Sequence, residues 1–262
     1  MRAVMFKKQN EVMNKGRQMK LKNKTIVITG GTSGIGYEMV RMLAQDNHVI
    51  VIARPGKRLE TLQKEFENIK TYGADLSKPQ EYEALADQIV KAHNQIDVLI
   101  NNAAIQNTPT YIDDDFSYDT IIPEIHLNFT AVCALSYLLL PAMLDDVREC
   151  AILNINSGLA LAPKKGSAIY CGTKGGMDVF SRSLGYQLEQ TNIRVLQAFL
   201  PLVDTPMTHG RGTGKLTAQR AAQDIVLGIE QGKRINNIGK VKLLRVLLAL
   251  TPRLARNVMK RS

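Results

Sequence analysis

Short apolar strands that alternate with amphipathic stretches constrain this chain most. Residues 25–29, 48–53, 69–74, 98–101, 151–157 and 194–200 are short runs, most of them rich in β-branched or aliphatic side chains. Between them, helical spacing predicts helices over 34–46, 58–66, 79–93, 118–144, 167–190 and 217–231. A strand without alternating polar positions must be covered on both faces, and a parallel sheet clad in helices does that. Residues 235–238 are a candidate seventh strand. The expected fold class is α/β: a single doubly wound domain, with a predominantly parallel sheet of about seven strands and helices on both faces. The chain of 262 residues is long enough for one such core.

Charge and cysteine content exclude several alternatives. The net charge of +10 divides into +7 over residues 1–24, +9 over 233–262 and −6 over the body between them. A nucleic-acid-binding domain more often carries its positive charge on the folded surface, so that function is not expected. The longest nearly apolar run, 131–144, is interrupted by Ser136 and Pro141 and is shorter than the roughly 20 residues of a membrane span. Residues 1–21 are basic and polar, without the apolar centre of a secretory signal. Cys133, Cys150 and Cys171 fit neither a zinc site nor a redox pair, and read as reduced thiols of a cytoplasmic protein. No metal site is expected. Three segments follow: a disordered or upstream-start tail over 1–18, the main domain over 19–239, and a basic amphipathic helical extension over 240–262.

The loop between the first strand and first helix reads Thr-Gly-Gly-Thr-Ser-Gly-Ile-Gly over 29–36. A helix N-terminus carries unpaired N–H groups and a partial positive charge, which attract a pyrophosphate. Gly30, Gly34 and Gly36 permit the tight turn and close backbone approach, and a glycine-rich turn without ligand is the plainer account of the same residues. The second strand ends at Arg54, where an acid would hold the ribose hydroxyls of NAD. Arg54, with Lys57 or Arg58 behind it, can instead grip a 2′-phosphate, so NADP is favoured over NAD. A solvated basic loop fits those side chains too.

Tyr170 and Lys174 lie four apart, hence on one helix face. An ammonium beside a phenol lowers the phenol pKa toward neutrality, where it can exchange a proton with an alcohol or carbonyl. Such a pair also arises by chance, so its surroundings decide. Ser157 ends the fifth strand, at the sheet edge where open α/β folds bind ligands. Asn101 and Asn102 follow the fourth strand, and Asn128 stands mid-helix, where asparagine is a poor choice unless its amide is engaged. Singly, Ser157 fits a strand-end cap, Asn128 a core hydrogen-bonding residue and Tyr170 helix packing.

Together these residues resemble the classical short-chain dehydrogenase/reductase family over about 25–232, and in detail its bacterial DltE-like branch. The carrying motifs are T-G-x-x-x-G-I-G at 29–36, Asp75 after the third strand, N-N-A at 101–103, Asn128, Ser157 and Y-x-x-x-K at 170–174. Ala104 replaces the usual glycine, and Leu202 follows Pro201 where the family has glycine. The resemblance implies a Rossmann fold and an NAD(P)(H)-dependent oxidoreductase moving a hydride between nicotinamide C4 and a carbonyl or alcohol. It implies Tyr170 as general acid/base, Lys174 depressing its pKa and holding the nicotinamide ribose, Ser157 polarising the carbonyl, and Asn128 anchoring a water that relays protons. The cofactor-binding set it implies is Gly30, Thr32, Ser33, Gly34, Ile35, Gly36, Arg54, Asp75, Leu76, Asn102, Ala103, Tyr170, Lys174, Pro201, Val203 and Thr205. It further implies a homodimer or homotetramer built on the helices at 118–144 and 167–190.

Substrate choice is expected from 105–117, 159–167 and 203–214, whose Ile105, Leu159, Leu161 and Met207 form a mainly apolar pocket, with His209 a surface histidine or a recognition group. The acids at 113–115 read as a solvated helix lead-in. The segment 240–262 could lie on an anionic membrane, cover the active-site mouth or meet a sister subunit. A non-catalytic dinucleotide-binding sensor or scaffold acting through that tail is the competing function.

Overall fold

The computed structural model describes residues 18–144 and 147–260; the expected tail over 1–18 therefore lies, save its last residue, outside the described residues. Strands β1 (Thr25–Thr29), β2 (His48–Ala53), β3 (Ile69–Gly73), β4 (Val98–Asn101), β5 (Cys150–Ser157), β6 (Ile193–Leu200) and β9 (Ile235–Asn237) form one sheet in the order β3-β2-β1-β4-β5-β6-β9. Every pairing in it is parallel, for example Val27 beside Ile50 and Leu99. The fold class is as expected. The strand order reverses direction between β1 and β4, and such switch points open a crevice at the carboxyl ends of the strands.

Helices α1 (Gly34–Leu43), α2 (Lys57–Glu65), α3 (Tyr82–Ala92), α4 (Ile121–Ile125), α5 (Ala131–Leu138), α6 (Leu140–Met143), α7 (Ala168–Gln187) and α8 (Ala218–Glu230) connect the strands. The core divides into two clusters, one on each sheet face. One joins Ile26, Ile28, Val49 and Val51 to Met39, Val40, Leu43, Ile225 and Ile229. The other joins Val27, Ile50, Ile52 and Leu99 to Leu85, Ile89, Leu135 and Leu139. Alternate residues of β1 and β2 thus enter opposite layers, which is why these strands are apolar throughout. Met19 and Leu21 belong to the first cluster, and the Met19 N–H donates to Glu230 O at 2.9 Å, so the lead-in to β1 is part of the domain.

The single long helix expected over 118–144 is a correction. The chain there forms a 3-10 turn, α4, a π-helical turn over His126–Thr130, α5 and α6. A π turn inserts a residue into the helical ladder and re-aims the side chains within it. Asn128 sits in that turn and is completely buried. The stretch Tyr118–Leu138 has the length and hydropathy to cross a bilayer, but here it is a packed layer of the sheet, with Glu124 and Asn128 turned inward. The substrate segment at 203–214 begins with β7 (Val203–Asp204), paired in parallel with β8 (Leu216–Thr217).

The C-terminal extension forms α9 (Val241–Leu250) and α10 (Pro252–Lys260). Of the three placements considered for it, the inner face covers the mouth of the site. Leu244, Leu247, Leu248, Ala255 and Met259 pack on Leu161 and Ala162. The Lys165 N–H donates to Lys260 O at 3.3 Å. Arg245 lies 4.6 Å from the Phe199 ring centroid and donates to Asn237 Oδ1 at 2.9 Å. The outer face exposes Leu243, Val246, Leu250, Leu254 and Val258.

Candidate active site

A cleft of about 1230 Å³ opens over the carboxyl ends of β1, β2, β4, β5 and β6. Ligand pockets commonly span roughly 300–1,000 Å³, so the cleft has room for a ligand larger than an ordinary small molecule. Its floor begins at the 29–36 loop. Gly30 adopts φ +73° and Gly34 φ +54°, a backbone region that favours glycine. A Cβ on Gly36 would stand 2.1 Å from Gly30 O and 2.6 Å from Asn102 Nδ2, so no larger residue fits without moving backbone. Thr29 ties this loop to the next: its Oγ1 accepts from the N–H groups of Asn102 and Ala103 at 2.9 and 3.0 Å. The Asn102 amide donates to Thr29 O and Gly30 O.

The residues here fit a dinucleotide. The N-cap of α1, Ser33, makes no side-chain cap bond, and no acid stands in the first turn. The helix start is thus left to a ligand, which its dipole and N–H groups make an anion. Thr32, Ser33, Gly34, Ile35 and Gly36 line the cleft there, with Val203 and Thr205 opposite. Arg54 is exposed at the end of β2 and lines the same cleft, as do Lys57 and Arg58. Asp75 and Leu76 follow β3 into it. Asp75 Oδ1 accepts from Ser77 N and Oγ, at 3.1 and 2.8 Å. Burial pushes the Asp75 carboxyl up, but the Ser77 bonds and the charges of Lys78 and Arg54 outweigh it and hold it below its usual range. Ala103 and Pro201 complete the cofactor set in the lining.

At the other end, Ser157, Tyr170 and Lys174 share one wall. Helix α7 brings two of them, and buried polar contacts fix its register on the sheet. Lys174 Nζ donates to Ile155 O at 2.8 Å, and Asn154 Nδ2 donates to Ser181 Oγ at 2.8 Å. Asn154 Oδ1 in turn accepts from Asn101 Nδ2 at 2.8 Å, which joins β4 to the same chain of bonds. Lys174 is only 4% exposed, its Nζ 5.6 Å from the Tyr170 ring centroid. Ser157 Oγ accepts from Leu159 N at 3.1 Å, capping the turn that follows β5.

The electrostatics depart from the expected depressed phenol. Burial pushes the Tyr170 phenol up to about 12, against the pull of the Ser157 hydroxyl. Burial drives Lys174 down to about 7. The ammonium is committed to a main-chain carbonyl and lies across the ring, while desolvation penalises both charged forms. Asn128 stands behind the cleft lining. Its amide accepts from Ile105 N and donates to Ile105 O, both at 2.9 Å. Its side chain therefore holds the loop after β4. His209 is exposed, outside the lining, whereas Met207 is in it.

Three side chains near Tyr170 went unread in the sequence. Glu124, 1% exposed, has one carboxylate oxygen accepting from Asn107 N and Nδ2 and the other without a hydrogen-bond partner. Lys164 and Arg211 line the substrate end of the cleft. Nothing in their local sequence marks them, because they meet only when the 158–166 and 205–214 loops close over α7.

Unfolded lysine titrates near 10.5, and buried Lys174 near 7, so between these pH values the unfolded chain holds a proton that the folded chain lacks. The stability cost of this side chain is complete below pH 7 and fades as the pH rises toward 10.5. The thermal midpoint of Lys174→Met, taken relative to the parent, is expected to be most favourable at pH 7 and to fall across that window, because loss of the bond to Ile155 O does not vary with pH whereas the cost of the ammonium does. A difference that stayed constant or rose with pH would contradict a desolvated ammonium.

The family model for short chain dehydrogenase matches residues 24–216. An uncharacterized oxidoreductase, DltE, of Bacillus subtilis (strain 168) is 32% identical over 234 residues, covering 87% of this chain and 92% of that protein. A fatty acyl-CoA reductase of Acinetobacter baylyi is 29% identical over 241 residues, 87% of this chain and 81% of that one. Among solved structures, a short-chain dehydrogenase from Sphingobium yanoikuyae in complex with NADPH superposes with a TM-score of 0.75 at 22% identity, over 88% of this chain and 95% of that one. One from Burkholderia phymatum in complex with NAD gives 0.76 at 18%, over 88% and 96%. Sequence motifs, sheet order and these matches agree: the chain belongs to the short-chain dehydrogenase family, in its DltE-like branch.

Proposed function

We propose that this protein is an NADP(H)-preferring oxidoreductase that transfers a hydride between nicotinamide C4 and a carbonyl or alcohol carbon. One observation carries the reading: Ser157, Tyr170 and Lys174 face the same cleft whose far end is an uncapped helix start and a glycine turn. The nicotinamide, when bound, gives or takes the hydride. Tyr170 supplies the proton to the carbonyl oxygen in reduction and removes it in oxidation. Its high phenol pKa keeps that proton in place until charge develops on the oxygen. Ser157 donates a hydrogen bond to the same oxygen. Lys174, close to half-protonated near pH 7, carries protons between Tyr170 and the ribose hydroxyls that it would hold.

Arg54, with Lys57 and Arg58 on the same side of the cleft, supports NADP(H) over NAD(H). Ile105, Leu159, Leu202, Met207, Leu244 and Met259 line the substrate end. That apolar lining, together with the similarity to a fatty acyl-CoA reductase, supports an apolar carbonyl substrate. Absorbance at 340 nm with a carbonyl panel tests both points. Tyr170→Phe is expected to lower kcat by at least about 100-fold, and kcat/KM to be at least about tenfold higher with NADPH than NADH, as one charge-assisted contact provides. Full activity in the variant would overturn the role of Tyr170, and a parent protein inactive on every carbonyl would favour the sensor or scaffold reading; parity of the two cofactors would remove the role of Arg54.

Exposed Ile122 and Tyr137 on the α4–α5 layer, and Val179 and Tyr186 on α7, support a homodimer or homotetramer built on those helices. Light scattering is expected to give a multiple of 29.1 kDa, and a monomer mass would refute it. The outer face of α9 and α10 supports peripheral contact of this cytoplasmic enzyme with an anionic membrane, since 233–262 carry nine basic residues and no acid. The protein is expected to float with phosphatidylglycerol vesicles, and the Leu243→Glu, Leu250→Glu double variant to stay behind. Equal behaviour of the two proteins would reject this.

A further inference from the structure

The substrate end of the cleft holds two cations, Lys164 and Arg211, which no carboxylate among the described residues neutralises. Arg211 donates from Nη1 to Gln106 Oε1 at 3.0 Å and from Nη2 to Met207 O, both neutral acceptors. Gln106 is itself fixed, its Nε2 donating to Ser167 Oγ at 3.1 Å. Ser167 is 2% exposed and in the left-handed region at φ +62°, three residues before Tyr170. The guanidinium is thus oriented from the same helix start that presents the tyrosine. Lys164 is half-buried in the lining, and burial followed by the charge of Arg211 lowers its pKa. The contrast with Lys215 is direct: that ammonium meets Asp204 at 3.2 Å. Glu124 is the acid that reaches Tyr170 electrostatically, but its hydrogen bonds go to Asn107 and it pairs with neither cation. Two cations therefore face an apolar chamber, and among the described residues neither is paired with a carboxylate.

We propose that Lys164 and Arg211 form an anion-recognition subsite, so that the substrate is an amphiphile: an apolar body carrying a carboxylate or phosphate, with its reactive carbonyl at Tyr170. This deepens the proposed reaction and rests on it only for the carbonyl. A substrate anion relieves the repulsion between the two cations and makes charge-assisted bonds to both. The apolar body lies along Leu159, Met207, Leu244 and Met259.

Calorimetric titration of the unmodified protein with octanoate and with octanol tests the subsite without any turnover. Octanoate is expected to bind about tenfold or more tighter, the order of one charge-assisted bond. Lys164→Met and Arg211→Met are each expected to remove that preference and leave octanol binding unchanged. In the reductase assay, a keto acid is expected to lose kcat/KM by about 10- to 100-fold in either variant, mainly through KM, while its methyl ester does not. NADPH affinity, read by quenching of its fluorescence, is expected to stay unchanged. Octanol bound as well as octanoate by the parent protein overturns the proposal whatever the variants do. So does an NADPH affinity that falls with either cation, which would give the pair to the cofactor. An inactive enzyme that still prefers octanoate would overturn the oxidoreductase reading and leave the subsite standing.

Discussion

Everything at the reacting end of this protein depends on how one helix is seated on one strand. Lys174 spends its ammonium on the carbonyl of Ile155, two residues before Ser157, while Asn154 reaches Ser181 two further turns along the helix. These contacts are buried, so breaking one exposes no group to water and leaves an unpaired polar atom in the core. A slip of α7 along β5 would break both at once. Apolar packing alone tolerates small slips; directional polar bonds do not. The spacing between the Ser157 and Tyr170 hydroxyls is set by that register, and so is the wall of the cleft they share.

The opposite end obeys a steric constraint. The first turn of α1 lies so close to the turn after β1 that a methyl group on Gly36 would overlap the Gly30 carbonyl, and one on Gly30 would stand 2.9 Å from Ala103 Cα, just after β4. Thr29 then uses its single hydroxyl oxygen to hold two successive N–H groups of the neighbouring loop. The two loops bordering the switch point behave as one unit, with the start of α1 uncapped between them. An anion completes what the side chains leave undone.

The tail and the substrate loops join these two ends. Leu244 and Met259 from α9 and α10 close the chamber that Leu159 and Met207 open, and Lys165 is tied to Lys260 through the main chain. The same segment therefore shapes the pocket with its inner face and presents aliphatic side chains among lysines and arginines outside.

Strand positions were legible in the sequence because a parallel strand covered on both faces admits few polar residues, and β1, β2 and β4 lie where the apolar runs put them. The glycine loop, Ser157, Tyr170 and Lys174 were legible too, since their chemistry depends on spacing along a strand end or a helix face, which sequence distance measures. The continuous helix expected over 118–144 failed at the π turn, where tertiary demands on Asn128 and Glu124 outweigh local helical preference. The expected acidity of Tyr170 failed for a related reason: four residues of separation put an ammonium near a phenol, but do not say how far water is excluded from both. Lys164, Arg211 and Gln106 come from three loops far apart in the chain, so nothing local marks them as neighbours. Local sequence determined which backbone shapes and which reacting groups this protein has; only the packing of distant segments decided which groups are desolvated, which charges go unpaired, and therefore what the cleft is built to hold.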